Sequence, residues 1–481
     1  MSWESVHDWL SRINAADTEC DYAATTTPVT ASTTARNISR KRALVSPPMS
    51  TTPTKKRQRR FPTLQHQAVD DDDDDCDPQE TPRAAKHPRS GNASSVSTSD
   101  TRSVCSDQTS NHSNKTGRSS PTKQIARLRI NASMQHRMMY DDGSDDFPES
   151  LRKLLDPIKR ATTLCRGLLA ESQRQEIRSY ALADPKHRRD FRECYNDDVL
   201  FTDALADQSD PVDPEFVGLI LDEARECDEN LHPEASWNML VHYPLMRRAI
   251  MGASRRRYVP GGRNPLVTVV PCTTASLVTD FKVPDAPAHK VDFAIAFEPI
   301  RAAVDGTATE RTTADGTVAD KIAASNRIAA DRIEARRKSM PGLSINHTDY
   351  APLLHQPIAI SVETKRTNDD FEKARVQLMV WLAAQWAKVE SMTDRPPEVL
   401  PAIIIQGHDW YLVTSTRADD GKKFLWCKHN FGSTSTPLGI YKIVWTLQYL
   451  SRWAVDTHWA WFKNACLKLD DQASEGSVTL P

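Results

Sequence analysis

The chain has 481 residues, with 62 Lys and Arg against 64 Asp and Glu and a formal charge of −2. A sum near zero excludes a uniformly basic or acidic protein but no class of partner, because separate basic and acidic blocks cancel. No run of about 18 apolar residues occurs and Met1-Ser-Trp-Glu-Ser-Val-His-Asp has no basic segment leading into an apolar one, so a membrane-spanning or secreted protein is not expected.

Length alone suggests roughly three domains, at about 100–200 residues each. Composition reduces this to one. Of the first 120 residues, 34 are Ser or Thr, and nine of the eleven tryptophans lie at or beyond Trp237. The large apolar side chains needed to offset chain entropy are therefore concentrated in the C-terminal half. The nine cysteines are scattered with no Cys-x-x-Cys pair, which argues for reduced thiols and against a disulfide framework or a zinc knuckle.

In chain order, residues 1–13 place Trp3, Val6, Trp9, Leu10 and Ile13 on one helical stripe, the pattern of a transient or partner-docking helix. From there to about 145 the chain is Ser/Thr/Pro-rich without sustained periodicity, which predicts a long disordered arm. Within it Arg40-Lys41-Arg42 is followed twelve residues later by Lys55-Lys56-Arg57-Gln58-Arg59-Arg60. That spacing suits a bipartite nuclear import signal, hence an import receptor as partner and a nuclear location. Asp70 to Asp75 follow and would partly screen the basic run.

A folded domain is expected over 146–475. Leu151, Leu154, Leu155 and Ile158 keep helical spacing, a second helix covers Phe216 onward, and a third runs from Pro233 to Met251, where Pro244 should kink or end it early. The period then changes to that of strands at Leu266–Val270, Val291–Phe297, Ile358–Lys365, Ala402–Gln406 and Trp410–Thr414. Helices fit Asp369 to Glu390 and Leu438 to about Leu467. Residues 301–345 lack large apolar side chains and read as a surface insertion, with an Ala-rich helix near Val318 to Arg337.

Two of these strands carry the chemistry. In Val291–Phe297 the large residues alternate with Asp292, Ala294 and Ala296; in Ile358–Lys365 they alternate with Ala359, Ser361, Glu363 and Lys365. If the strands are antiparallel neighbours, Asp292, Glu363 and Lys365 meet at one edge of the sheet. Two carboxylates and a lysine there suit metal-dependent phosphodiester hydrolysis. Hard Mg²⁺, or Mn²⁺ in its place, prefers oxygen ligands such as these and the Thr364 carbonyl, and Lys365 could orient water or offset charge. The triplet acid-x-Lys is by itself uninformative, since Asp184-Pro-Lys186, Asp280-Phe-Lys282 and Asp420-Gly-Lys422 also occur. Only Glu363-Thr364-Lys365 ends an alternating strand and precedes a long helix.

The pairing of Asp292 with Glu363-Thr364-Lys365 resembles the PD-(D/E)XK nuclease superfamily. Glu234-Ala-Ser-Trp-Asn-Met-Leu-Val-His, Lys290-Val-Asp-Phe-Ala-Ile, Ile345-Asn-His-Thr-Asp-Tyr-Ala-Pro-Leu, Pro357-Ile-Ala-Ile-Ser-Val-Glu-Thr-Lys, Gln406-Gly-His-Asp-Trp and Gly439-Ile-Tyr are similar to the nuclease-like domain found in many uncharacterised fungal proteins. The resemblance covers about 150–470. It implies an α/β, restriction-endonuclease-like fold with a mixed central sheet flanked by helices. It also implies Asp292, Glu363 and Lys365 as catalytic residues and Glu234 as an acid reaching the metal through water. Val291 stands where the motif's proline would. The implied activity is Mg²⁺-dependent hydrolysis of nucleic acid, DNA before RNA. The alternative is an inactive nuclease fold that binds nucleic acid or protein in the nucleus.

A polyanion needs basic contacts, and Arg247, Arg248, Arg255, Arg256, Arg257 and Arg263 crowd the end of the third helix and the loop toward the first strand. A solvated helix end would look the same. Gln377, His242, His408 and the C-terminal tryptophans read as packing or hydrogen-bonding residues.

Overall fold

The structure is a computed structural model that describes residues 120–138, 147–205, 210–252, 266–286, 290–299 and 318–469. The expected N-terminal helix, import-like clusters and Asp run lie outside these residues, as do Arg255, Arg256, Arg257 and Arg263. The principal helices are α1 (Pro121–Asn131), α2 (Glu149–Thr162), α3 (Arg174–Ala183), α4 (Pro214–Glu229), α5 (Tyr243–Ile250), α6 (Val318–Arg337), α7 (Phe371–Met392) and α8 (Pro437–Trp453). The strands of the central sheet are β1 (Met134–Met138), β2 (Val267–Pro271), β3 (Phe293–Phe297), β4 (Ile358–Lys365), β5 (Val399–Gln406), β6 (Asp409–Arg417) and β7 (Lys423–Ser433).

These seven strands form one sheet in the order β1-β7-β6-β5-β4-β3-β2. It is mixed: β1 runs parallel to β7 and β4 parallel to β5, while the other pairs are antiparallel. Strands β3 and β4 are antiparallel neighbours, with Phe293 opposite Val362 and Ala294 opposite Ser361, as the sequence required for a shared site. The parallel step from β4 to β5 is made through α7, the crossover that parallel pairing needs.

Alternation along the strands divides the core into two layers. Phe293, Ile295, Phe297, Val362, Ile403 and Ile405 join the cluster built with α2, α4, α5 and α8. Ala294, Ala296, Ala402, Ile404 and Val413 join the other, built with α7 and α1. The small residues of β3 are not a bare face. They admit α7, which is buried along most of its length, and Trp381 and Trp386 on α7 donate to Ser361 Oγ (3.0 Å) and Ser415 Oγ (2.8 Å) on the sheet.

Three expectations need correction. Order starts before residue 146: α1 buries Ile125 and Leu128 and β1 pairs with β7. The β1 sequence, Met-Gln-His-Arg-Met, is an edge strand whose polar residues hide its period. The 301–345 segment is not wholly a surface insertion, because α6 places Ala329 and Ile333 in the main core and Arg336 donates to the Cys466 and Met392 carbonyls. Pro244 does not end its helix. The turn before it widens to a π-turn over Asn238–His242, with Tyr243 N–H bonding to the Asn238 carbonyl, and α5 continues to Ile250.

Candidate functional site

Asp292 lies just before β3, where its amide donates to the Val362 carbonyl (3.0 Å) and its own carbonyl accepts from the Cys272 amide (2.8 Å). Its Oδ2 accepts two further bonds, from the Thr364 amide (2.9 Å) and the Thr364 hydroxyl (2.8 Å). The aspartate is thus fixed across the end of β4 by the residue between Glu363 and Lys365.

Glu363 is 1% exposed. Its Oε1 accepts from Lys365 Nζ at 2.6 Å, and its Oε2 has no hydrogen-bond partner. Lys365 Nζ also donates to the Thr364 carbonyl (2.6 Å) and reaches Glu234 Oε2 at 3.4 Å. Glu234 begins the helix that leads through the π-turn into α5. One ammonium therefore stands among the Glu363 and Glu234 carboxylates and a main-chain carbonyl, with Asp292 adjacent.

The electrostatics follow from that imbalance. Burial, then the nearby Asp292 charge, pushes the Glu363 carboxyl well above the usual range against the pull of Lys365. Burial likewise raises Glu234, with Lys365 opposing and Asp292 adding. Burial works against the charged form of Lys365, but Glu363, Glu234 and Asp292 together hold its pKa above the ordinary lysine value. Burial dominates the two carboxyl shifts, and the carboxylates together account for the raised Lys365; with three carboxyl groups around one ammonium, the cluster favours taking up positive charge.

The donor set suits a hard divalent cation. It offers carboxylate and carbonyl oxygens, and a buried carboxylate oxygen without a partner is a site for a cation. The residues come together only in part, however. Among the described residues no three His, Cys, Asp or Glu side chains gather closely enough to hold a metal ion by themselves, and the Glu234 carboxylate is directed at Lys365. Asp292, Glu363 and the Thr364 carbonyl are the oxygens that could hold a cation, with waters filling the rest of its shell.

Residues that sequence reasoning passed over brace the end of β4. Thr367 Oγ1 donates to Asp228 on α4 (3.0 Å), Arg366 pairs with Asp369 (3.1 Å), and the Gly407 amide donates to the Lys365 carbonyl (2.7 Å). At the start of β4, Asn346 donates to the Leu353 and Gln356 carbonyls and accepts from the Ile358 amide. Asn346 and Gly407 were signalled only by membership of the 345–353 and 406–410 stretches, and Asp228, Arg366 and Thr367 had no signal. His242 is buried between the Gly407 carbonyl (3.0 Å) and Asn238 Oδ1 (2.9 Å), and His408 meets the Thr434 hydroxyl (3.0 Å); both are hydrogen-bonding residues, as expected. Gln377 is half-buried on α7.

The arginines after the third helix divide. Arg248 is committed to the fold, with only 13% of its side chain exposed and bonds to Asp210 (2.9 Å) and the Pro211 carbonyl (2.8 Å). Arg247 is partly exposed.

Comparison with known families finds a match to the family described as the PD-(D/E)XK nuclease superfamily over residues 181–459. No curated protein and no solved structure matches the chain.

Proposed function

The chain belongs to the PD-(D/E)XK nuclease superfamily, and on that premise we propose that it hydrolyses phosphodiester bonds in nucleic acid with Mg²⁺ or Mn²⁺ at Asp292, Glu363 and the Thr364 carbonyl. The observation that carries this reading is Glu363 Oε2, a buried oxygen without a partner in a cluster short of positive charge. A divalent ion there would polarise the phosphate and lower the pKa of bound water.

The chain's own residues have separable tasks. Thr364 orients Asp292 through two hydrogen bonds. Lys365, held as an ammonium, donates toward the phosphate and offsets charge that develops in the transition state. As held here it is a charge and a hydrogen-bond donor rather than a base. Glu234 keeps Lys365 aimed at the centre and can reach the ion through water.

A second reading is a binding module without turnover. It is favoured by one specific feature: Lys365 Nζ already satisfies Glu363 Oε1 and the Thr364 carbonyl, so the cluster is partly neutral without a metal. Thermal unfolding of the full chain separates a metal site from its absence. Mg²⁺ or Mn²⁺ is expected to raise the midpoint of the wild type and to leave Asp292→Ala and Glu363→Ala unmoved; equal shifts in all three would remove the metal site.

The proposal extends to location. The basic clusters Arg40–Arg42 and Lys55–Arg60 engage a nuclear import receptor, and a Lys41, Arg42, Lys55 and Lys56 to Ala variant is expected to stay in the cytoplasm. Unchanged nuclear accumulation of that variant would refute the assignment.

A further inference from the structure

A cavity of about 570 Å³ is walled by short helices at Pro185–Asp190 and Arg192–Tyr195, by α4 and by the start of α8. Its lining includes four arginines, Arg188, Arg189, Arg192 and Arg225, against two acids, Asp190 and Glu193. Asp190 is 6% exposed and already neutralised by Arg225 (2.8 Å) and Arg189 (3.3 Å). Arg188 and Arg192 are exposed, and neither guanidinium has a hydrogen bond or ion pair among the described residues. Two guanidinium forks thus line a concave surface with no hydrogen-bond or ionic partner among the described residues. The opposite wall is Ser435, Thr436 and Pro437, the N-terminus of the 17-residue α8, whose dipole adds positive potential although Pro437 has no N–H and the Gly439 amide is capped by Thr436 Oγ1 (3.0 Å). Bidentate guanidinium groups on a concave wall fit phosphate oxygens.

The cavity is tied to the centre by two short paths. Arg225 and Asp228 are one turn apart on α4, about 4.5 Å along the axis, and Asp228 accepts from Thr367, two residues beyond Lys365. On the other wall, the amide of Thr434, two residues before Thr436, donates to the carbonyl of His408, in the turn whose Gly407 amide donates to Lys365. We propose that this cavity binds backbone phosphates of the nucleic-acid strand on one flank of the Asp292–Glu363–Lys365 centre, with Arg188 and Arg192 as the principal contacts. This rests on the nuclease reading for the identity of the polyanion.

The test is binding of labelled single-stranded and duplex DNA by the full chain, without divalent metal so that no turnover intervenes. Arg188→Ala/Arg192→Ala removes two exposed, unpaired side chains and should keep the wild-type melting temperature. Arg127→Ala/Arg129→Ala, two exposed arginines on α1, is the charge-matched control. The expected result is at least tenfold weaker binding in the first variant, with the slope of log affinity against log salt reduced by about 0.9 per lost duplex phosphate contact. The control should stay within about twofold of wild type, and Arg188→Lys/Arg192→Lys should recover most of the salt slope. Equal affinity and slope in the two alanine variants would overturn the proposal. So would stabilisation of the wild type by pyrophosphate, lost in Arg188→Ala/Arg192→Ala, with DNA binding unchanged, because the cavity would then serve a small phosphoanion. Wild-type protein that binds no DNA overturns both readings. Weakened binding by the variant together with no cleavage by wild type under any metal leaves the cavity standing and refutes catalysis. Cleavage by wild type with unaltered binding by the variant does the reverse.

Discussion

Glu363 and His347 show two ways in which this fold buries a polar group. Glu363 is kept next to Lys365, so removing that lysine would strand a buried carboxylate, whose loss of a partner is expected to be costly. His347 is 1% exposed, both ring nitrogens lack partners, and its ring meets Trp381 edge-on at 4.5 Å, behind the Ser361 that Trp381 bonds. Burial holds its pKa down at about 3. The group is neutral when folded and binds a proton below pH 6.5 when unfolded, so its stability contribution is complete above about pH 6.5 and is lost as pH falls toward 3. We expect unfolding free energy to decline in this window by about 1.4 kcal/mol per pH unit per such histidine. Urea denaturation at pH 7, 6 and 5 should show a shallower decline in His347→Phe. An identical slope in the variant would mean that His347 is protonated in the folded state.

Among the elements, the turn between β5 and β6 positions the end of β4. Gly407 has φ of +55°, and a Cβ there would stand 2.2 Å from Thr367 Oγ1 and 2.9 Å from the Thr367 backbone. Gly407→Ala would have to move the segment that carries Lys365 and would add left-handed strain of about 1–2 kcal/mol. The expected outcome is a destabilised protein whose nuclease activity falls more than its stability explains; a variant with wild-type melting and wild-type activity would show that the turn does not position β4. This dependence was not legible in the sequence, where Gln406-Gly-His-Asp-Trp shows a turn but not what it touches. The strands differ in the same way. β3 and β4 were readable because each alternates cleanly and both faces are packed by the chain's own helices, which also gave the shared edge of Asp292, Glu363 and Lys365. β1 was missed because an edge strand needs only one buried face and takes polar residues. β7 was missed because Lys428 with φ of +68° and register shifts against β6 break its period. Glu234 was expected to reach a metal through water; in the structure its carboxylate meets Lys365 Nζ at 3.4 Å. That detail depends on side-chain direction, which spacing does not encode.

Within the folded unit, the candidate site lies where two packed layers leave a sheet end accessible. Helices on both faces bury β3 and β4 along their lengths, and the strands emerge only at Asp292 and Lys365, where carboxylates outnumber the cation that faces them. The family match over residues 181–459 covers both strands, α4, α5, α7 and the helices that carry Arg188 and Arg192, so the candidate site and the arginine-lined cavity fall within one matched region. The segment 301–345 lies between the acids in sequence yet leaves them in one site, because β3 and β4 pair directly. Incubation of the purified full chain with plasmid, single-stranded DNA and RNA in Mg²⁺, Mn²⁺ or EDTA addresses the chemistry of that site directly. The prediction is cleavage of at least one substrate with metal, none in EDTA, and a loss of at least 100-fold in Lys365→Ala protein that remains folded by circular dichroism. No cleavage of any substrate by wild type, or equal cleavage by Lys365→Ala, would contradict it.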